Sequence, residues 1–177
     1  MGGVGKHATC LDYEGFVRAT GHLPPQHWLP GSRCPRGLRN HPTVWVTWRD
    51  ANVYAHWADK VLPSARQWEK AACGPMGRAW PWGEKPTAAK RNTAELGIDS
   101  AAPVARCQSG ASPYGVHDLC GEVWGRCSTL GVDGPYRHQL KGSAFSSPFE
   151  RAAPALENTA NRSMKDNYTG FRCASPS

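Results

Sequence analysis

The chain has 177 residues, 40% hydrophobic and 20% charged, with eight tryptophans, 19 glycines and 15 prolines, the make-up of one packed globular domain rather than a disordered tail. The formal charge is +7, but the basic residues are spread singly and no nucleic-acid-binding motif occurs, so the charge reads as a solvated face. No apolar run approaches the ~20 residues of a bilayer crossing and the opening MGGVGKHATC lacks a secretory core, which makes no membrane span and a cytoplasmic location the expectations.

In chain order, Asp12 is expected to cap a helix over 12–20 with Tyr13, Phe16 and Val17 on one face and Gly21 at its end. Residues 22–42, with Pro24, Pro25, Pro30, Pro35 and Pro42, read as irregular chain pinned by Trp28. Thr43-Val44-Trp45-Val46-Thr47-Trp48 is β-branched and aromatic and reads as a short buried strand. Asp50 starts a second helix that ends near Lys60 and places Val53, Tyr54 and Trp57 at one-turn spacing. Ser64 and Gln67 form a capping box that opens a third helix over 64–73, with Trp68, Ala71 and Ala72 inward and Gly74 as its stop. Beyond residue 74, turn residues predict loops and short strands.

The chemistry-bearing residues exclude more than they assign. Seven cysteines with no CxxC pair disfavour a zinc site and a dense disulfide frame; several buried thiols in a reducing compartment are expected, with one or two disulfides as the alternative. The seven histidines show no H-x-x-x-H or H-x-E spacing, and no G-x-S-x-G elbow occurs.

Residues 41–86 (HPTVWVTWRDANVYAHWADKVLPSARQWEKAACGPMGRAWPWGEKP) resemble the core signature of the formylglycine-generating enzyme, or sulfatase-modifying factor, family. The likeness continues in order through Asn92-Thr93, Pro103-Val104, the 112–119 stretch, Gly121-Glu122-Val123-Trp124, Lys141-Gly142-Ser143 and Gly170-Phe171-Arg172-Cys173. It implies an α+β, C-type-lectin-like fold: two or three helices, a small twisted sheet and long irregular loops, in a single domain over 1–177. Residues 1–9 replace the family's usual opening strand and Met-Gly turn, and read as a flexible start to a trimmed chain. Trp45, Trp48, Trp57, Trp68, Trp80 and Trp82 are expected in the core.

The same resemblance implies which metals to look for. Enzymes of the family bind copper through two cysteines shortly after the Gly-Gly-Ser turn, and here Ser146 and Arg151 fall in their place. A hydroxyl and a guanidinium cannot replace two soft thiolates, so no copper and no catalytic residue are expected. The iron-binding helical domain of the family's sulfoxide synthases has no counterpart in this sequence. Two stretches match the family's calcium loops in part: Asn92-Thr93 with Asp99, and Asp118 with the carbonyls of Gly121 and Val123. The second lacks a glutamate after the tryptophan, where Gly125 stands, so structural calcium is expected at Asn92 and Asp99 sooner than at Asp118. An Asx-turn at Asn92 and a turn cap at Asp118 are equally weighted readings.

Two functions follow. The first is a non-catalytic binding module resembling the variable proteins of diversity-generating retroelements, with a protein or other macromolecular ligand. Its contact region is 125–168 and its expected contact residues are Arg126, Tyr136, His138, Phe145, Phe149, Asn158, Arg162, Lys165, Asn167 and Tyr168. The second is a formylglycine-generating or related metal-dependent oxidase.

Overall fold

A computed structural model of the chain describes residues 3–28 and 33–176. Met1 and Gly2 of the expected flexible start, and Pro30 of the irregular loop, lie outside the described residues. Strand β1 (Val4–His7) occupies part of that expected flexible start. It pairs antiparallel with the last strand and buries Val4 and His7, so an opening strand is present after all. VGKH carries little pattern of its own; the edge it covers decides its conformation.

Helix α1 (Cys10–Thr20) starts earlier than expected because Thr9, not Asp12, is its cap. The Thr9 hydroxyl accepts the Asp12 amide, and the Asp12 carboxylate accepts the Thr9 amide, a reciprocal capping box closed by left-handed Gly21. Thr47 and Asp50 repeat the arrangement at α2 (Trp48–Trp57). Tyr54 faces inward from α2, Val53 is 40% exposed, and Trp57 is 45% exposed, contrary to its expected core placement. Helix α3 (Ala65–Cys73) follows its box at Ser64 and Gln67 and buries Trp68, Ala71 and Ala72.

No strand forms over 43–48. Trp45 is left-handed (φ 61°), a conformation that breaks any strand, and its amide donates to Asp166 O at 2.8 Å. Trp48 belongs to α2. Local β propensity has yielded to a cap on one side and a distant carbonyl on the other.

Strands β2 (Trp124–Leu130), β3 (Arg137–Lys141), β4 (Asn158–Asn161) and β5 (Thr169–Ala174) complete a sheet of order β1-β5-β2-β3-β4, in which β2 and β5 run parallel and the other neighbours antiparallel. Tyr13, Phe16, Tyr54, Phe171 and Trp28 fill the main core. Of the six tryptophans expected inside, Trp68 is fully buried; Trp45, Trp48, Trp80 and Trp82 are half-buried and Trp57 is exposed. Trp68 lies against the Gly142 turn, where a Cβ would come within 2.9 Å of the indole and φ is +98°. Among the described residues, no helix is long and apolar enough to cross a membrane.

Candidate ligand-contacting surface

The 125–168 segment contributes β2, β3, β4 and the loops between them, and those loops are tied down from beneath by buried cations. Arg126 on β2 is completely buried and its Nη2 donates to the carbonyls of Val46 (3.0 Å) and Met164. Burial pushes its guanidinium down to about 10, with Asp166 and Asp50 opposing the shift. Lys141 at the end of β3 donates to Pro154 O at 3.0 Å, to Leu156 O at 3.2 Å and to the Glu69 carboxylate at 3.2 Å. Arg172 on β5 donates to Gly5 O at 2.9 Å and Asp118 O at 2.8 Å. All three cations grip main-chain oxygens, which every residue type offers.

The expected contact residues divide into an interior set and an exterior set. Arg126, His138 and Phe145 are buried and do not belong to the surface. His138 stacks on Trp48 with centroids 4.1 Å apart and its Nδ1 lies 3.2 Å from Ser128 O; burial holds its pKa low, and the charges of Arg126 and Arg162 add to this. Phe145 packs on the Tyr168 ring at 5.3 Å. A long or aromatic side chain reads as a contact residue in sequence, yet here each has an interior partner waiting.

Tyr136 is 57% exposed, and the Arg162 guanidinium lies 4.6 Å from its ring centroid while the Arg162 amide donates to Tyr136 O. Asn158, Arg162, Lys165 and Tyr168 are exposed, and Asn167 is half-buried. Leu130 and Val132, which the sequence reading passed over, add exposed apolar surface at the β2–β3 turn. Phe149 belongs to a separate cluster: the Arg91 guanidinium lies 3.1 Å from its centroid and 4.4 Å from that of Trp80. Nothing in the local sequence marks Arg91, because its partners come from two distant loops.

Residues 6–176 match the family described as the sulfatase-modifying factor enzyme 1-like domain. The chain belongs to this family. It is 32% identical over 187 residues to the formylglycine-generating enzyme of Streptomyces coelicolor, an alignment covering 84% of the chain and 58% of that relative, so the chain spans less than two thirds of its length. Among solved structures, PvdO from Pseudomonas aeruginosa superposes with a TM-score of 0.80 at 21% identity over 96% of this chain and 77% of that one. Treponema denticola variable protein 1 superposes with a TM-score of 0.75 at 15% identity over 95% and 81%. At these identities the likeness concerns the fold, which is C-type-lectin-like as the motifs imply.

The family's metal stretches can be compared with what stands in them. Ser146 and Arg151 are both exposed on the loop after β3. Cys127 and Cys173 are buried, and burial pushes their thiols up to about 12 and about 11. The two calcium stretches do come together: the Glu122 amide donates to Asn92 O at 2.8 Å, and Gly121 approaches that same carbonyl so closely that a Cβ would lie 2.3 Å from it. Val123 is buried beside them, while Asp99 is exposed and left-handed.

The donor set suits calcium only in part. Asn92 Oδ1 is buried with no hydrogen-bond partner, an oxygen a cation could use. Thr93 Oγ1, however, donates to Glu95, the Asp118 carboxylate accepts the Ala105 amide at 2.6 Å, and the Glu122 carboxylate accepts Ala102 N at 2.6 Å. Burial pushes the Asp118 carboxyl up and that of Glu122 to about 8, which weakens both as anionic ligands. Among the described residues, no three His, Cys, Asp or Glu side chains gather closely enough to hold a metal.

Proposed function

We propose that the chain is a non-catalytic ligand-binding module that displays side chains on a C-type-lectin scaffold, in the manner of the variable proteins of diversity-generating retroelements. The observation that supports this most is the anchoring of the contact loops through carbonyls, by Arg126 at Met164 and by Lys141 at Pro154 and Leu156. Loops fixed through their main chain keep their course when their outer side chains change, so Tyr136, Asn158, Arg162 and Lys165 can vary without cost to the scaffold. Aromatic, Arg and Asn side chains supply adaptable contacts, which favours a protein or other macromolecular ligand. Calcium at the Asn92 loop would serve as a structural brace in this reading.

A second reading, a formylglycine-generating or related metal-dependent oxidase, draws on the 32% identity to the Streptomyces coelicolor enzyme. Against it stand Ser146 and Arg151, which give copper no thiolate. Incubation with copper, oxygen and a Cys-x-Pro-x-Arg peptide separates the two: the binding reading expects no aldehyde in the peptide, and aldehyde formation would establish the oxidase.

A further inference from the structure

Cys10 opens α1 and Cys34 lies in the Pro-rich chain that packs across that helix start. Three backbone contacts bring this chain there: Cys10 N donates to His41 O at 2.9 Å, Leu11 N to Arg39 O at 3.1 Å, and Thr43 N to Ala8 O at 2.8 Å. Both cysteines are buried in the main apolar cluster, at 1% and 4% exposure, together with Tyr13 and Trp28. Their thiols are near enough for each to perturb the other's protonation. Cys10 Sγ also lies 3.7 Å from Pro42 O, and Cys34 Sγ 3.4 Å from Pro35 O.

We infer that Cys10 and Cys34 are a disulfide-forming pair, and that closing the bond fastens the chain at Cys34 to the start of α1. A low-molecular-weight disulfide such as oxidised glutathione is the oxidant. One protein thiolate attacks it and releases a first glutathione thiol; the second protein thiolate then attacks the mixed disulfide and releases another. The two protein sulfurs lose two electrons and two protons, and the oxidant gains both.

Burial pushes both thiols up, Cys10 above the ordinary thiol range, so in the folded chain they stay protonated and exchange slowly. Closure therefore belongs to folding, before the pair is buried, and burial afterwards shields the bond from reductants. The bond constrains the unfolded chain and stabilises the folded one.

The test is to refold the full chain in a glutathione redox buffer and, separately, in excess dithiothreitol. The oxidised sample is expected to lose two hydrogens in mass, to retain five alkylatable thiols of the seven when denatured, and to yield a Cys10–Cys34 linked peptide. Its Tm should lie roughly 5–10 °C above that of the reduced sample. Cys34→Ser, a change in the loop that leaves α1 intact, should abolish both the mass change and the Tm difference between the two buffers. Seven free thiols after oxidative refolding, or a link between other cysteines, overturns the inference on the wild-type chain alone.

Discussion

Tyr13, Phe16, Tyr54 and Phe171 meet ring to ring with centroids 5.1–6.2 Å apart, whereas residues 154–156 have the Lys141 ammonium on their carbonyls. The first region is read by its neighbours side chain by side chain, and a change of any ring leaves a cavity. At 154–156 the second is gripped through main-chain carbonyls. A protein that must keep one fold while changing its outer surface needs both kinds of attachment, in separate places.

The sharpest break in that comparison is Phe171→Ala. Phe171 is completely buried and touches Tyr13 and Tyr54, so the cavity should cost ~3–5 kcal/mol in urea unfolding. A loss below ~1 kcal/mol would mean that the aromatic cluster is not the centre of stability.

Lys141→Met tests the other attachment. It keeps much of the stem's volume but leaves the carbonyls of Pro154 and Leu156 without their donor, for a loss of ~2–3 kcal/mol. Glu69 is half in solvent, so its ion pair adds little. Hydrogen exchange should accelerate at amides of 154–157 while those of α1 stay protected; uniform acceleration would assign Lys141 to the core instead.

What the sequence conveyed divides along the same line. Ser64 and Gln67 announced α3 correctly because a cap is local chemistry between residues three apart. Thr9 with Asp12 and Thr47 with Asp50 carry the same pattern, and only the choice of the aspartate over the threonine as cap displaced the two helix starts. The strand expected over 43–48 failed because Trp45 answers to Asp166, far along the chain. Polarity found Tyr136 and Arg162 on the surface but misplaced Arg126, since only the fold reveals that Val46 and Met164 aim carbonyls at it.

Protonation gives a smaller effect. His7 is buried and both burial and the charge of Arg172 hold its pKa well below 6.5, so the unfolded chain takes up a proton there that the folded chain refuses. Its contribution is present above about pH 6.5 and lost as pH falls, at no more than about 1.4 kcal/mol per pH unit. Glu122, raised to about 8 by burial, has the opposite sign: the folded chain holds its proton more tightly between about pH 4.5 and 8, so it favours folding as pH falls. Wild type against His7→Asn isolates the histidine: the variant should lose less stability between pH 7 and 5, values spanning the ordinary histidine range of about 6.5. Equal losses would remove His7 from the account.

Calcium should act more weakly still. With one orphaned side-chain oxygen and no carboxylate cluster, the Asn92 loop should gain about 1 kcal/mol or less from ~1 mM calcium. Asn92→Ala should abolish the chelator-dependent Tm difference and Asp118→Asn should leave it; the reverse would move the ion to the Asp118 stretch.

The least effect on stability is expected where the largest effect on binding is. Tyr136, Arg162 and Lys165 have solvent on their outer sides, and serine at all three should shift stability by less than ~0.5 kcal/mol each, because surface substitutions that break no buried contact seldom do more. The Tyr136–Arg162 cation–π contact is exposed and adds only a fraction of that scale. Tyr168 is left unchanged in this set because its ring packs on buried Phe145, and its loss would mix the two regions. Peptides selected on the wild-type chain from a displayed random library provide the probe. If the anchored loops form a contact face, the triple variant keeps its Tm and loses those peptides, while Lys141→Met weakens them through loop disorder. Peptides that bind the triple variant unchanged would place the contact face elsewhere on the fold, and a fall in Tm as large as that of Phe171→Ala would return these three residues to the core.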